Sequence, residues 1–129
     1  MVVRIVRLGT ARVEGEGTRI GTVRRPPRGV PKSEFASKNW YDVWFPNLAP
    51  SPETMKLGQK SQSPAQWLAF TRKYRSEMSS PDNAHALELL AVLSRNTDFS
   101  VGCYCETEAH CHRSVLRELL KEKGAEVAP

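Results

Sequence analysis

The chain has 129 residues, of which 40% are hydrophobic and 26% charged, and a formal net charge of +5. These values are typical of a single globular domain, residues 1–129, and exclude a disordered or fibrous chain. Every apolar run is shorter than the roughly 20 residues of a transmembrane helix, and three clustered cysteines do not make a secreted disulfide scaffold, so we expect a cytoplasmic protein without a membrane partner.

The first predicted elements are two short strands. "VVRIVRL" at 2–8 and "TRIGTV" at 18–23 are rich in β-branched residues, and the turn "EGEG" between them predicts that the two strands pair as a hairpin. "RRPPRGVPK" at 24–32 follows, and its three prolines cannot donate to a strand ladder. This segment is therefore predicted to be a loop, which carries Arg24, Arg25, Arg28 and Lys32.

The basic residues are unevenly distributed along the chain. Residues 1–40 contain nine Lys or Arg and three Glu, whereas residues 41–129 contain ten basic and eleven acidic residues. A positive region of this kind can attract phosphate or nucleic acid. A solvated basic surface without a ligand explains the excess equally well.

Three helices are predicted from a repeated start signal, a serine followed by proline at residues 51, 63 and 80. A serine at the N-cap accepts a hydrogen bond from a free backbone amide, and proline has no amide to leave unpaired. Gln66 is placed to complete a capping box with Ser63. Apolar residues spaced three or four apart predict the buried faces of the second and third helices: Trp67, Phe70, Tyr74 and Met78, then Leu87, Leu90 and Leu93.

"DFSVGCYC" at 98–105 is the clearest core strand, with Cys103 and Cys105 on one face. A polar turn and an amphipathic helix follow, and Gly124 is in the position that closes such a helix. Strands and helices mixed in this order predict an α/β fold: one domain, with a small central sheet flanked by helices, 99–105 as the central strand and the site at the C-terminal end of that strand.

The segment after this strand contains an unusual density of reactive side chains. Ligands of α/β proteins tend to bind beyond the carboxyl ends of strands, where Cys105 and Glu106 are expected. Cys111, His112 and Arg113 open the next helix. The free amides and positive partial charge of a helix start favour an anion, and they lower the pKa of a nearby cysteine.

Three interpretations of this segment remain open. In the first, Cys105 or Cys111 is a nucleophile, His112 a base or orienting group, and Arg24, Arg28 and Arg113 hold an anion, without metal or cofactor. The usual phosphatase spacing of cysteine, five residues and arginine is not met, because Arg113 is eight residues after Cys105.

In the second interpretation, zinc is bound by Cys103, Cys105, Cys111 and His112, although adjacent ligands on a regular helix have difficulty reaching one ion. In the third, the cysteines are small buried hydrophobic residues, which suits Cys103 best.

The chain resembles the family known as domain of unknown function 488, small α/β proteins of bacteria and archaea. The resemblance covers residues 18–124 and rests on "VRRPPRG", "LAPSPETMK", "WLAFTRKYRSEM" and "GCYCETEAHCHRSVLRELL". It implies that the site residues are Cys105, Glu106, Cys111, His112 and Arg113, with Arg24 as the arginine that ends an early strand. Cys103 is not part of the family pattern, and the resemblance implies no activity.

The function that the residues favour is binding of a small phosphorylated or nucleotide-like anion, with thiol-dependent chemistry at the Cys-His-Arg segment. The rival hypothesis is a nucleic-acid-binding or interaction module that uses the basic first third of the chain. Against it, the basic residues at 24–32 are not interleaved with aromatic residues in the sequence. The sequence leaves open whether the protein is an enzyme.

Overall fold

A parallel four-stranded sheet forms the centre of the fold, in the order β1-β4-β2-β3. The computed structural model describes residues 1–129. Its strands are β1 (Val3–Arg7), β2 (Thr18–Gly21), β3 (Val43–Trp44) and β4 (Phe99–Cys103), and its helices are α1 (Pro52–Gln59), α2 (Pro64–Met78), α3 (Pro81–Ser94) and α4 (His112–Glu122). The predicted α/β class is confirmed. No helix is both long and apolar enough to cross a bilayer.

The predicted hairpin of β1 and β2 is wrong. β4 lies between these two strands and pairs in parallel with each, so that Ile5 and Ile20 both align with Val101. All five residues of β4 are buried, as expected of a strand in the middle of a parallel sheet. The "EGEG" turn therefore belongs to a longer connection, because a two-residue hairpin turn can join only antiparallel neighbours.

The helix starts follow the predicted capping chemistry in two of three places. The side chains of Ser51 and Ser63 accept hydrogen bonds from the backbone amides of Thr54 and Gln66. The Ser80 side chain makes no such bond, although α3 does begin at Pro81. The capping box is also wrong in detail. The side-chain oxygen of Gln66 accepts from the backbone amide of Gln62, not from that of the N-cap residue Ser63.

The main core lies between the sheet and the helices. Phe70, Tyr74 and Met78 of α2 are buried as predicted, and Trp67 is half-buried against them. In α3 the buried face runs through Leu87, Leu90, Ala91 and Ser94. Leu93 is 37% exposed, so its predicted burial is wrong: the helix face that points inwards is rotated away from it.

The other face of the sheet is covered by loops. Tyr41 and Leu8 pack directly on the backbones of Gly21 and Gly102, where a Cβ atom would overlap them. The same face buries an ion pair between Arg19 and Glu16. With both faces covered, the carboxyl ends of β1, β2 and β4 remain as the edge where loops and the start of α4 converge.

Candidate functional site

The cysteine segment is shaped by a bend and a short turn between β4 and α4. β4 ends at Cys103, the chain bends at Tyr104, and a 3-10 turn covers Glu108–His110 before α4 begins. The Glu108 carboxylate binds the Arg117 guanidinium of α4 at 2.7 Å, which fixes the turn to the helix. Cys111 is the N-cap of α4 with an extended backbone, φ −128° and ψ 152°.

The three thiols lie together at this bend. Cys103 and Cys111 are buried and Cys105 is exposed, and all three are free. The Sγ atoms of Cys103 and Cys105 are 3.8 Å apart. A hydrogen bond with the Cys103 thiol, the neighbouring Cys111 thiol and the charge of Arg113 together hold the pKa of Cys105 well below its usual range. Donating this hydrogen bond to Cys105, the proximity of Cys111 and burial all raise the pKa of Cys103. Of these two neighbouring thiols, Cys105 is therefore the one that ionises, and the pKa of Cys111 is lowered as well.

His112 is oriented towards Cys111 rather than Cys105. Its Nε2 lies 2.9 Å from the backbone oxygen of Thr22. Because a carbonyl only accepts, Nε2 carries the hydrogen, and Nδ1 is left 3.8 Å from the Cys111 Sγ atom. The ring also meets that of Tyr74 edge to face, with 5.5 Å between the centroids. The orienting role fits these contacts better than that of a base acting on Cys105.

Arg113 is buried beneath the cysteine loop, with 3% of its surface exposed. Its Nη2 donates to the backbone oxygen of Cys105 at 2.7 Å. Its Nε is buried and has no hydrogen-bond partner in the protein. No carboxylate lies within ion-pair distance of this guanidinium, whereas Arg19 and Arg117 each have one.

The other predicted ligand-binding residues lie in different surroundings. Arg24 donates from Nε and Nη2 to the backbone oxygens of Ala49 and Pro50, so two of its nitrogens are already occupied. The Glu106 side chain is 83% exposed, and its nearest cation is Arg7, 3.8 Å away.

Two adjoining cavities connect the cysteines to the loop at 24–32, called the arginine loop below. A narrow one of about 70 Å³ is lined by Cys105, Cys111 and His112. A wider one of about 490 Å³ is lined by Cys103 and by Arg24, Arg25, Arg28 and Lys56. Pro50, Met55 and Gln59 line both, so the two cavities share a wall around α1.

A family model described as the active DUF488-N3 subclade, DUF488-N3a, matches residues 3–124. The chain belongs to the DUF488 family. The resemblance that the sequence motifs indicated is thereby confirmed, over almost the whole chain. No curated protein and no solved structure matches it.

This DUF488 site also contains residues that the sequence did not indicate. Thr22 holds His112, Tyr104 lines the wider cavity, and Met55 and Gln59 contribute its wall. Thr22 could have been found, because it follows β2 directly and carboxyl ends of parallel strands share one edge. The position of α1 over the site depends on tertiary packing that no local pattern encodes.

Proposed function

We propose that this DUF488 protein uses the Cys105 thiolate as a nucleophile towards a small anionic substrate. The observation that carries the proposal is the buried Arg113 without a carboxylate partner. A buried cation is costly unless an opposite charge balances it. A thiolate at Cys105, whose own backbone oxygen already binds Arg113, supplies that charge.

The reaction needs few participants. The Cys105 Sγ atom donates its electron pair to an electrophilic atom of the substrate, the bond to the leaving group breaks, and the leaving group departs with that bond's electron pair. Cys103 stabilises the thiolate by donating a hydrogen bond to it. The backbone oxygen of Thr22 holds the His112 ring, and the ring in turn positions the Cys111 thiol.

The anionic part of the substrate is bound by the arginine loop in this scheme. The wider cavity has four basic side chains in its wall and no acidic one. Arg28 is exposed and free to contact a ligand, while Arg24 holds the loop against Pro50 and retains one nitrogen for a ligand. Charge-assisted hydrogen bonds from guanidinium groups are well suited to phosphate or carboxylate.

The nucleophile is tested by the pH dependence of alkylation. Iodoacetamide modification of Cys105, followed by peptide mapping between about pH 5 and pH 9, is expected to proceed at a nearly constant rate. An ordinary thiol of pKa about 8.5 would instead react about tenfold faster per pH unit over most of this range. Cys105→Ser controls for reaction at the two buried thiols. An ordinary profile in the wild type would overturn the proposal.

The anion is tested in the same assay. Inorganic phosphate is expected to slow alkylation of Cys105, and Arg28→Ala to weaken this protection about tenfold. Arg72→Ala is the matched control, because Arg72 is an exposed arginine on α2 that lines neither cavity. Equal protection in the two variants would remove the arginine loop from the site.

A soft metal ion is a second candidate ligand of the same cluster. The ligand atoms of Cys103, Cys111 and His112 all lie within 4.8 Å of one another. The extended backbone of Cys111 removes the objection that adjacent residues on a helix cannot share an ion. The 3.8 Å between the sulfurs of Cys103 and Cys105 also matches the sulfur spacing of a tetrahedral zinc site with bonds of about 2.3 Å.

Elemental analysis decides between the two candidates. Protein purified without a tag or chelator would contain about one zinc per chain if the cluster is a metal site. The zinc would be lost in Cys111→Ser, and Cys105 would not behave as a free thiolate. Protein without stoichiometric metal that shows the flat alkylation profile is the result expected from the nucleophile proposal.

We place this activity in the cytoplasm. A reducing environment keeps three neighbouring thiols from forming disulfides. The three free cysteines between the end of β4 and the start of α4 fit such a compartment.

A further inference from the structure

A third cavity, of about 820 Å³, lies beyond the carboxyl ends of β1 and β4. The side chains of its wall that can recognise a ligand are those of Arg7, Arg25, Arg28, Trp40 and Tyr104. No carboxylate lines it. No cysteine lines it either, so it is separate from the thiol cluster. It adjoins that cluster through Tyr104, the residue between Cys103 and Cys105, and shares Arg25 and Arg28 with the wider cavity of the site.

The positive charge in this cavity is not neutralised by the protein. The guanidinium groups of Arg25 and Arg28 make no ion pair and no hydrogen bond with other residues, unlike those of Arg12, Arg75 and Arg117, which bind carboxylates. Arg7 has one loose, exposed ion pair of 3.8 Å with Glu106, and its Nε donates to the backbone oxygen of Tyr104 at 3.3 Å. Two free guanidinium groups on one rim suit the oxygens of a phosphate group.

The aromatic part of the wall is held in place. The rings of Trp40 and Tyr104 meet edge to face, with centroids 5.8 Å apart. The Tyr104 hydroxyl donates to the backbone oxygen of Arg25 at 2.8 Å, which ties the aromatic wall to the arginine loop. The fold thus brings aromatic and basic residues together here, although they are far apart in the sequence.

We propose that this cavity binds a nucleotide unit, with its phosphate on Arg25 and Arg28 and its base against Trp40 and Tyr104. The volume is within the usual range of small-molecule sites, roughly 300–1,000 Å³. Aromatic rings bind bases through their flat faces irrespective of sequence, and arginines bind the backbone phosphates. The inference rests on the proposed function for its role, because Arg25 and Arg28 also line the wider cavity in which that proposal places the anion. The nucleotide is either free or one unit of a single strand.

Binding of adenosine 5′-monophosphate and of ribose 5-phosphate tests this, because the two probes differ only in the base. Isothermal titration of the wild-type chain is expected to show about 5- to 150-fold tighter binding of the nucleotide, the factor that one stacked base contributes. Trp40→Leu is expected to remove this difference and leave ribose 5-phosphate binding unchanged. Arg28→Ala is expected to weaken both probes about tenfold, and Arg72→Ala neither.

The source of the nucleotide is distinguished by competition with a short single-stranded oligonucleotide. An oligonucleotide that displaces the mononucleotide, binds tighter and loses affinity in Arg28→Ala identifies a strand as the ligand, and failure to displace identifies the free nucleotide. Equal binding of the nucleotide and ribose 5-phosphate by the wild type would overturn the inference without any variant. Cys105→Ser separates the two proposals, because it abolishes alkylation but is expected to keep nucleotide affinity.

Discussion

The Sγ atoms of Cys103 and Cys105 lie 3.8 Å apart because the chain bends at Tyr104, directly after the central strand. The bend places a buried thiol beside an exposed one, and when Cys105 is ionised only the buried thiol has a hydrogen to donate. Cys103→Ala removes the donor and is expected to raise the pKa of Cys105 by about one unit or more, as measured by the pH profile of alkylation.

Cys103→Ser provides the matched comparison for this prediction. A serine hydroxyl is close to the thiol in shape and still donates a hydrogen bond. The Cys105 profile should therefore stay near that of the wild type in Cys103→Ser. If serine and alanine shift the profile equally, the hydrogen bond from Cys103 is not what stabilises the thiolate.

Arg24 is expected to matter for stability more than Arg25 does, although both arginines are exposed. Its guanidinium donates to the backbone oxygens of Ala49 and Pro50, two buried residues that precede α1. Arg24→Ala leaves these carbonyls without their partner and should lower the free energy of unfolding by about 1–3 kcal/mol in urea denaturation. Arg25→Ala, which removes no such bond, should change it by less than about 0.5 kcal/mol. Similar losses in both variants would mean that the Arg24 bonds do not hold the loop.

Much of the local structure could be predicted from the sequence, because it depends on neighbouring residues. The Ser-Pro pairs mark the starts of α1, α2 and α3, and the apolar spacing gives the inward face of α2. The strand order could not be predicted in this way. β4 enters between β1 and β2 from almost 80 residues further along the chain, and only the burial of both its faces favours that central place.

In the candidate site, too, the residues close in sequence could be predicted and those brought in by tertiary packing could not. Cys105, Cys111 and Arg113 are close in sequence, so a strand end followed by a helix start is enough to bring them near one another. Thr22, Trp40 and α1 reach the site only through tertiary packing, and the aromatic residues missing from the arginine loop are supplied by distant segments. The pattern of a short strand likewise does not predict that the Arg19 side chain is fully buried.

Glu16 is expected to make the stability of the protein sensitive to acid. Burial raises the pKa of its carboxyl, but hydrogen bonds from Arg19, Ser100 and the Val13 amide outweigh this and lower the pKa from 4.5 to about 2. A depressed pKa means that the folded state favours the carboxylate, so the contribution is complete above about pH 4.5. It is lost as the pH falls from there towards 2, and its full size is on the order of 3 kcal/mol.

Urea denaturation of the wild type and Glu16→Gln at several pH values isolates this contribution from those of other carboxyls. The wild type should be more stable by about 3 kcal/mol or more near neutral pH, because the variant leaves Arg19 buried without its charge partner. The difference should shrink steadily below about pH 4.5. A difference that is constant down to pH 2 would show that the carboxylate charge is not the source of the stabilisation.

Gly15 and Gly17 share a left-handed backbone but have different surroundings, which makes them a test of the connection that replaces the predicted hairpin. Their φ angles are 75° and 76°, so alanine is strained at either position, by about 1–2 kcal/mol. A Cβ atom at Gly15 would meet nothing within 4 Å, whereas one at Gly17 would overlap the backbone oxygen of Asp98, just before β4. Backbone cannot rotate away as a side chain can. Gly17→Ala should therefore destabilise the fold by roughly 3 kcal/mol more than Gly15→Ala in urea denaturation, and equal effects would mean that this loop does not lie against the start of β4.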